Sequence, residues 1–393
     1  MDLQKAEAWL TEQANELVQQ AIYVRPEDGR LMHLLSPVDR GMYQAMFLRD
    51  FVYKVVTLPK QFAKKTTAQT FDLFFENMSA DFVPPEFIHR DGRIEYWCFG
   101  PGPLTDTPAA LAIGVLAYCR ASNDLEYFKS RADILLKTLT NTQRHPVSGL
   151  IWINPMMPHS PYGYTDTIQK TGEELFSSVM LYDACKQMAE ALEHINRPAD
   201  AQEMMLIAGQ IESGIEGLYD SQSGLYFAAS YHCRQPDIWG SALAVYTHAA
   251  GNRAEQVAKS LADMYDRIVW QGQVRHLPAP MLWEKRLSEA REFRRDFKSG
   301  KFYAYGQNTR YWSDQEPNTY QNGAYWATPV GWFVAALARV NRSMSEKTLI
   351  DLVKFFQEDG IWECTHPSGH RKERDYTISA VMPLLGFRVL CEA

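Results

Sequence analysis

Ser148-Gly149-Leu150-Ile151-Trp152 stands between two helical stretches, and its form decides the fold. A glycine supplies a tight turn, and the β-branched and aromatic residues behind it favour extended chain. The same form returns as Asp91-Gly92-Arg93-Ile94-Glu95-Tyr96-Trp97, Ser223-Gly224-Leu225-Tyr226-Phe227 and Asp359-Gly360-Ile361-Trp362-Glu363. The interval from Gly224 to Gly360 is the longest and has room for one degenerate copy. Outward from each copy the apolar residues recur at helical spacing, from Ala6, Trp9, Leu10, Ala14 and Leu17 near the start to Ile378, Val381, Met382 and Leu385 near the end. Twelve such segments are expected, over 2–22, 43–57, 66–79, 106–122, 124–141, 167–195, 198–218, 237–250, 252–269, 323–341, 345–358 and 376–390.

Twelve segments make six hairpins, and a hairpin that cannot bury its apolar stripe alone must stack on its neighbours. An open solenoid has the same periodicity. The long connections 142–166 and 270–322, rich in aromatic residues, Gly and Pro, favour closure, because long ordered loops in compact domains usually build sites. The expected architecture is therefore all-α: an (α/α)6 barrel, a toroid of six hairpins with short β-hairpins in the loops over one mouth. No linker or low-complexity tract divides the chain, so residues 1–393 are expected to form one catalytic domain. The run 286–301, dense in charges of both signs, reads as a solvated segment.

With 40 Lys+Arg against 47 Asp+Glu the net charge is −7, which argues against a nucleic-acid partner, whose footprint is basic. A 46% hydrophobic content supports a large core, yet no run reaches the roughly 18 apolar residues of a membrane span. The opening Met1-Asp2-Leu3-Gln4-Lys5 has no secretory apolar stretch, and a cytoplasmic location without membrane contact is expected. Cys98, Cys119, Cys185, Cys233, Cys364 and Cys391 are scattered, without the spacing of a structural zinc site, and read as buried thiols. Aromatic residues reach 12%, many beside Gly and Pro; rings in loops suit a sugar cleft, because an apolar pyranose face packs on a flat ring.

There is no G-x-x-x-x-G-K-[ST], no strand-associated G-x-G-x-x-G, no H-E-x-x-H and no G-x-S-x-G, which removes the common phosphate, dinucleotide, zinc-protease and serine-hydrolase readings. What remains is carboxylates, aromatics and a few histidines. Splitting a glycosidic bond needs two carboxyl groups, one protonated and one ionised. The segments that offer isolated acids among aromatics are Tyr43 to Phe51 with Arg49 and Asp50, the stiff loop ending at Asp106, the Pro-rich stretch 154–172 with Tyr164, Asp166 and Lys170, and Trp362-Glu363-Cys364. Asp106 and Asp166 each precede an expected helix, so helix capping is the competing role for both. Gln321 and Asn322, followed by Tyr325 and Trp326, suit carbohydrate recognition, with Trp97, Trp152, Trp326 and Trp362 as candidate stacking surfaces.

These segments resemble the six-hairpin glycosidases, the clan that holds glucoamylases, trehalases and glycoside hydrolase family 63. Glu363-Cys364-Thr365-His366-Pro367-Ser368-Gly369, followed by Tyr376-Thr377-Ile378-Ser379-Ala380, is similar to the family 63 base motif E-x-Y-D-P-x-T-G and its later F-S-W-T-A. Tyr164-Thr165-Asp166-Thr167 is similar to W-D-N-S, which carries the acid, and Tyr325-Trp326-Ala327-Thr328-Pro329-Val330-Gly331-Trp332 to Y-W-R-G-P-I-W. Arg49-Asp50 resembles the early Arg-Asp pair that grips the terminal sugar. Thr365-His366 stands where the family has Tyr-Asp, Thr165 replaces an acid, and the arginine of Y-W-R-G-P is absent.

The resemblance implies an exo-acting glycoside hydrolase on a small α-glucoside or short oligosaccharide, inverting, with Asp166 as general acid and Glu363 as general base. Glu373 is the alternative base. Arg49, Asp50, Asp106 and Gln321 are expected to hold the sugar, with Tyr164, Lys170 and Asn322 beside them. The expected partner is a small carbohydrate, and neither metal nor organic cofactor is required. Two other readings stay open: a sugar epimerase or isomerase on the same barrel, whose proton transfers use histidines, and a non-catalytic glycan-binding barrel.

Overall fold

A computed structural model describes residues 1–96, 104–285, 293–295, 302–304 and 316–392. Trp97 and the loop 97–103 lie outside the described residues, as do all but 293–295 of the charged run 286–301.

In chain order the helices are α1 (Leu3–Gln20), α2 (Leu48–Thr57), α3 (Pro59–Phe62), α4 (Lys65–Glu76), α5 (Thr107–Ser122), α6 (Leu125–Thr140) and α7 (Leu175–His194). They continue as α8 (Pro198–Ile215), α9 (Ile238–Tyr246), α10 (Ala254–Asp263), α11 (Tyr265–Ile268), α12 (Val330–Ala338), α13 (Arg342–Asp359), α14 (Thr377–Val381) and α15 (Pro383–Glu392). The ring closes through α2, α5, α7, α9, α12 and the broken pair α14–α15: α2 packs on α5, α5 on α7, α7 on α9, α9 on α12, α12 on α15, and α14 returns to α2. Outside it, α6 packs on α5 and α7, α10 on α9 and α12, and α1 on α13, α14 and α15, while α4 covers α5 and α8 covers α7. The expected six-hairpin toroid is the observed architecture.

Composition sorts the two shells. Inner helices meet protein on all sides, so α12 reads Val-Gly-Trp-Phe-Val-Ala-Ala-Leu-Ala and α5 is buried from Thr107 through Cys119 apart from Ile113. Outer helices keep one stripe: α1 buries Ala6, Leu10, Ala14, Leu17 and Val18 and leaves its charged residues outside. Full burial of a side chain such as Leu10 contributes about 1.5–3 kcal/mol.

The turn motif proves sixfold. Gly29, Gly92, Gly149, Gly224, Gly272 and Gly360 follow the six outer helices in turn, and all have φ between +70° and +97°, a region an L side chain enters only with strain. Gly272, in Gln271-Gly272-Gln273-Val274, is the degenerate copy in the long interval, and Gly29 precedes the strand Leu31–His33. After each turn the chain runs over one end of the ring and enters an inner helix there, so the inner N-termini and the small antiparallel sheets share one mouth. The largest sheet pairs 269–270, 273–274, 325–326, 362–365 and 371–374 in that order, and a second pairs 45–47, 87–89 and 94–95.

Several helix starts differ from the periodicity. The segment from 167 becomes helical only at Leu175, that from 323 only at Val330, and that from 43 only at Leu48, because strands Gly172–Glu174, Tyr325–Trp326 and Ala45–Phe47 stand ahead of them, the last two taking apolar residues. Glu174 therefore caps α7 through Ser177 N, and Asp166 does not. The last segment breaks at Pro383, which has no N–H to continue a helix.

His33 sits in this core, stacked on Phe51 at 5.2 Å, and burial pushes its pKa down to about 3, with the Lys54 charge acting the same way. The depressed folded pKa means that neutral His33 supports the fold above the ordinary histidine value, and that this support is lost as pH falls from about 6.5 toward 3. At pH 5 the loss is about 2 kcal/mol. Thermal unfolding should therefore show a Tm that declines below pH 6.5, with a shallower decline in His33→Phe; equal slopes would exclude the histidine as the cause.

Candidate functional site

Glu363 lies on the fourth strand of the large sheet, 2% exposed, and Tyr43 donates its hydroxyl between the two carboxylate oxygens at 2.7 and 2.8 Å. Asp166 follows the single turn Gly163–Thr165 and is half-buried. Gln321 donates Nε2 to Asp166 Oδ1 at 2.6 Å, and its own Oε1 accepts from Thr167 N and Oγ1 at 2.9 and 2.7 Å. Burial pushes the Tyr43 phenol pKa well up, and the charges of Glu363 and Asp166 both add to that rise. Glu363 thus accepts from this hydroxyl, and the charge of Asp166, nearly two hundred positions away in the chain, reaches the same phenol.

Beneath them lies a buried charge cluster. Arg49, in the first turn of α2, donates to Asp106 Oδ2 at 2.7 Å, Asp50 Oδ2 at 3.3 Å and Glu86 Oε1 at 3.4 Å. The Tyr162 and Tyr164 rings cover its guanidinium at 5.5 and 4.9 Å. One cation cannot balance three desolvated acids: burial drives the Glu86 pKa up to about 8, against the pull of Arg49, so Glu86 keeps its proton at neutral pH. Asp106 occupies the N-cap position of α5 but makes no side-chain cap bond; its carboxylate serves Arg49 instead. Asp50 Oδ1 accepts from the Tyr164 hydroxyl and, at 3.1 Å, from Tyr376. Tyr376 in turn packs on Tyr43 at 5.9 Å, so the cluster reaches Glu363 through two phenols.

Of the residues singled out in the sequence, Arg49, Asp50, Asp106, Tyr164, Asp166, Gln321 and Glu363 come together here. Lys170 is a brace: its Nζ lies 3.2 Å from Asp237 and 3.6 Å from Glu174, the N-caps of α9 and α7. Burial works against its charge, but the two acids outweigh it and hold its pKa above the ordinary lysine value. Asn322 Oδ1 accepts from Trp283 N at 3.0 Å. Trp326 is a correction: fully buried, it packs on Tyr164 and Trp239 and offers no stacking face. Trp362 donates to Asp359 O and lies under Arg374, on the opposite strand face from Glu363. Trp152 packs on His145. Glu373 Oε1 accepts from Met42 N at 2.9 Å.

Sequence reasoning passed over four contributors. Tyr43 and Tyr376 stood inside quoted segments without a role, and Glu86 follows Pro84-Pro85, a stiff pair that was a usable sign of a fixed loop. The fourth is a row of half-buried rings, Tyr43, Phe47, Phe87 and His89, at successive distances of 5.9, 4.7 and 5.0 Å. Among the described residues no group of three His, Cys, Asp or Glu side chains is placed to hold a metal ion, and no helix is long and apolar enough to cross a membrane.

No family model matches the sequence, and no curated protein does. Solved structures do match. An uncharacterized conserved protein from Thermus thermophilus aligns with TM-score 0.64 at 15% identity, over 96% of this chain and 99% of that one. A GH63 mannosylglycerate hydrolase from the same organism, in complex with glucose, gives 0.60 at 14% identity over 96% and 99%. A rhamnosidase from Klebsiella oxytoca with rhamnose bound gives 0.61 at 12% identity, over 97% of this chain and 64% of that longer one. The chain has the six-hairpin glycosidase fold.

Gly163 tests the cluster. A Cβ there would stand 2.1 Å from both terminal nitrogens of Arg49, with no room for the fork to retreat among its acids. Gly163→Ala should cost about 3 kcal/mol or more, the scale of breaking a buried ion pair, read as a lowered denaturation midpoint. An unchanged midpoint would show that the guanidinium is not packed as described.

Proposed function

We propose that this chain is a glycoside hydrolase, with the ring 1–393 as its catalytic unit and the mouth of the inner N-termini as its substrate pocket. The placement of Glu363 against the Tyr43 hydroxyl, with Asp166 near enough for its charge to act on the same phenol, carries this reading. It is supported by two of the matched structures, a mannosylglycerate hydrolase and a rhamnosidase. The substrate is a small α-glycoside, cleaved from its end.

In this reading protonated Asp166 gives its proton to the glycosidic oxygen, while Glu363 draws a proton from a water attacking the anomeric carbon on the opposite face. The Gln321 amide donates to Asp166 Oδ1 and orients that carboxyl group. Tyr43 holds the Glu363 carboxylate in place. The ring row from Tyr43 to His89 is the stacking surface. The Arg49 cluster lies under the sugar and fixes Tyr164 and Tyr376, and the reaction itself requires no metal or organic cofactor.

The test is release of free sugar, followed by NMR, from a panel of α-glucosides, short α-linked oligosaccharides and α-glycosides of hydroxy acids. Inversion predicts that the β-anomer appears first. Asp166→Asn and Glu363→Gln should each lower kcat about 10²–10⁴-fold, the usual weight of a general acid or base, with Tm unchanged. Full activity in either variant rejects its role; deuterium entering a sugar carbon in heavy water without bond cleavage would instead favour an epimerase.

A further inference from the structure

The hairpin that carries Glu363 also grips the loop that orients Asp166. Its strands are 362–365 and 371–374, and His370 closes the turn between them. His370 Nε2 accepts from the backbone N–H of Tyr320 at 3.2 Å, and the Cys364 thiol lies 3.7 Å from the same nitrogen. Lys372, on the second strand, sets its Nζ 3.3 Å from the centre of the Tyr320 ring. The Tyr320 carbonyl accepts from Trp326 Nε1 at 3.2 Å. Side chains thus hold both backbone groups of Tyr320 and its ring.

Tyr320 needs that hold. Its φ of +32° lies in the left-handed region, where a bulky L side chain is strained. Such strain persists only where surrounding contacts over-determine the backbone, and it gathers at functional sites. The next residue is Gln321, fully buried, with both ends of its amide engaged: Oε1 accepts from Thr167 N and Oγ1 at 2.9 and 2.7 Å, and Nε2 donates to Asp166 Oδ1 at 2.6 Å. Trp283 Nε1 donates to the Gln321 carbonyl at 3.0 Å. Sheet pairing of Tyr325 with Thr365 and of Trp326 with Cys364 fixes the end of this loop, and its tip at Tyr320 and Gln321 is left to side chains. A path therefore runs from Glu363 along its hairpin to His370, through the Tyr320 peptide to Gln321, and on to Asp166. The separation of the two carboxyl groups decides how a glycoside is cleaved.

We infer that His370 is a positioning residue of the active site: by accepting the Tyr320 N–H it holds the strained tip of the loop, and so keeps Gln321 on Asp166 and the acid at its working distance from Glu363. The effect on rate rests on the hydrolase reading; the hold on Tyr320 does not.

Two substitutions in the full chain separate an acceptor from bulk. His370→Gln brings an amide oxygen to the place of Nε2, whereas His370→Leu fills the space without an acceptor. In His370→Leu kcat should fall at least about tenfold, since a small misplacement of reacting groups can cost about 10²-fold. KM should change little, because the Arg49 cluster and the ring row stay intact. His370→Gln should restore kcat to within about threefold of the wild type. Apart from activity, the assigned indole N–H signals of Trp326 and Trp283 report the Tyr320 and Gln321 carbonyls: both should shift in His370→Leu and hold their places in His370→Gln. An unchanged kcat or unmoved indole signals in His370→Leu, or a His370→Gln variant that behaves like His370→Leu, would overturn the inference. If His370→Leu does not fold, nitrogen NMR of the wild type at neutral pH decides: a bare Nε2 on His370 supports the inference, and a protonated one overturns it. If the chain hydrolyses no glycoside, the hydrolase reading fails, and the indole signals still decide whether His370 holds the loop.

Discussion

A single buried guanidinium, Arg49, ties α2, the loop before Phe87, the start of α5 and the turn at Gly163 to one point. Such a cluster is a poor source of net stability, because desolvating four ionisable groups consumes most of what their attraction returns. Its effect is geometric. Removal of Arg49 leaves its acids uncompensated in a dry interior, so the loops that carry them settle around that one cation. Asp50 extends the constraint through Tyr164 and Tyr376, and these phenols lie between Arg49 and the rim on which Asp166 and Glu363 stand.

The toroid supplies what that cluster needs. Inner helices packed on all sides cannot shift singly, and the left-handed glycine after each outer helix delivers the chain to the same face six times. Lys170 repeats the Arg49 device at smaller scale, joining the caps of two successive inner helices beneath the Trp283 ring. The mouth is thus rigid below and built of loops above, a division suited to a pocket whose frame is fixed while its upper contacts vary.

Much of this was legible in local pattern. Six pairs of amphipathic segments and four glycine turns marked the hairpins, because periodicity reports which face of a helix is buried and a turn glycine reports where the chain must reverse, and the long connections 142–166 and 270–322 favoured closing them into a ring. Asp166 and Glu363 stood out because a carboxylate among aromatics and prolines is costly without a partner. What local pattern misplaced were the starts of α2 and α12, where strands borrow apolar residues that read equally well as helix, the start of α7, which a Gly-Glu-Glu strand precedes, and Trp326, whose neighbours in sequence resemble a recognition loop while its neighbours in space are Tyr164 and Trp239.

The sequence alone determined the repeat, its six pairs of helical segments and the residue types from which a two-carboxylate site is assembled, since these depend on spacing along the chain. Tertiary structure alone decided that Asp106 turns from capping to Arg49, that Lys170 braces helix caps, and that Tyr43 holds the Glu363 carboxylate. Each of those outcomes is a competition among partners that meet only when the ring shuts, and no spacing along the chain records which of them wins.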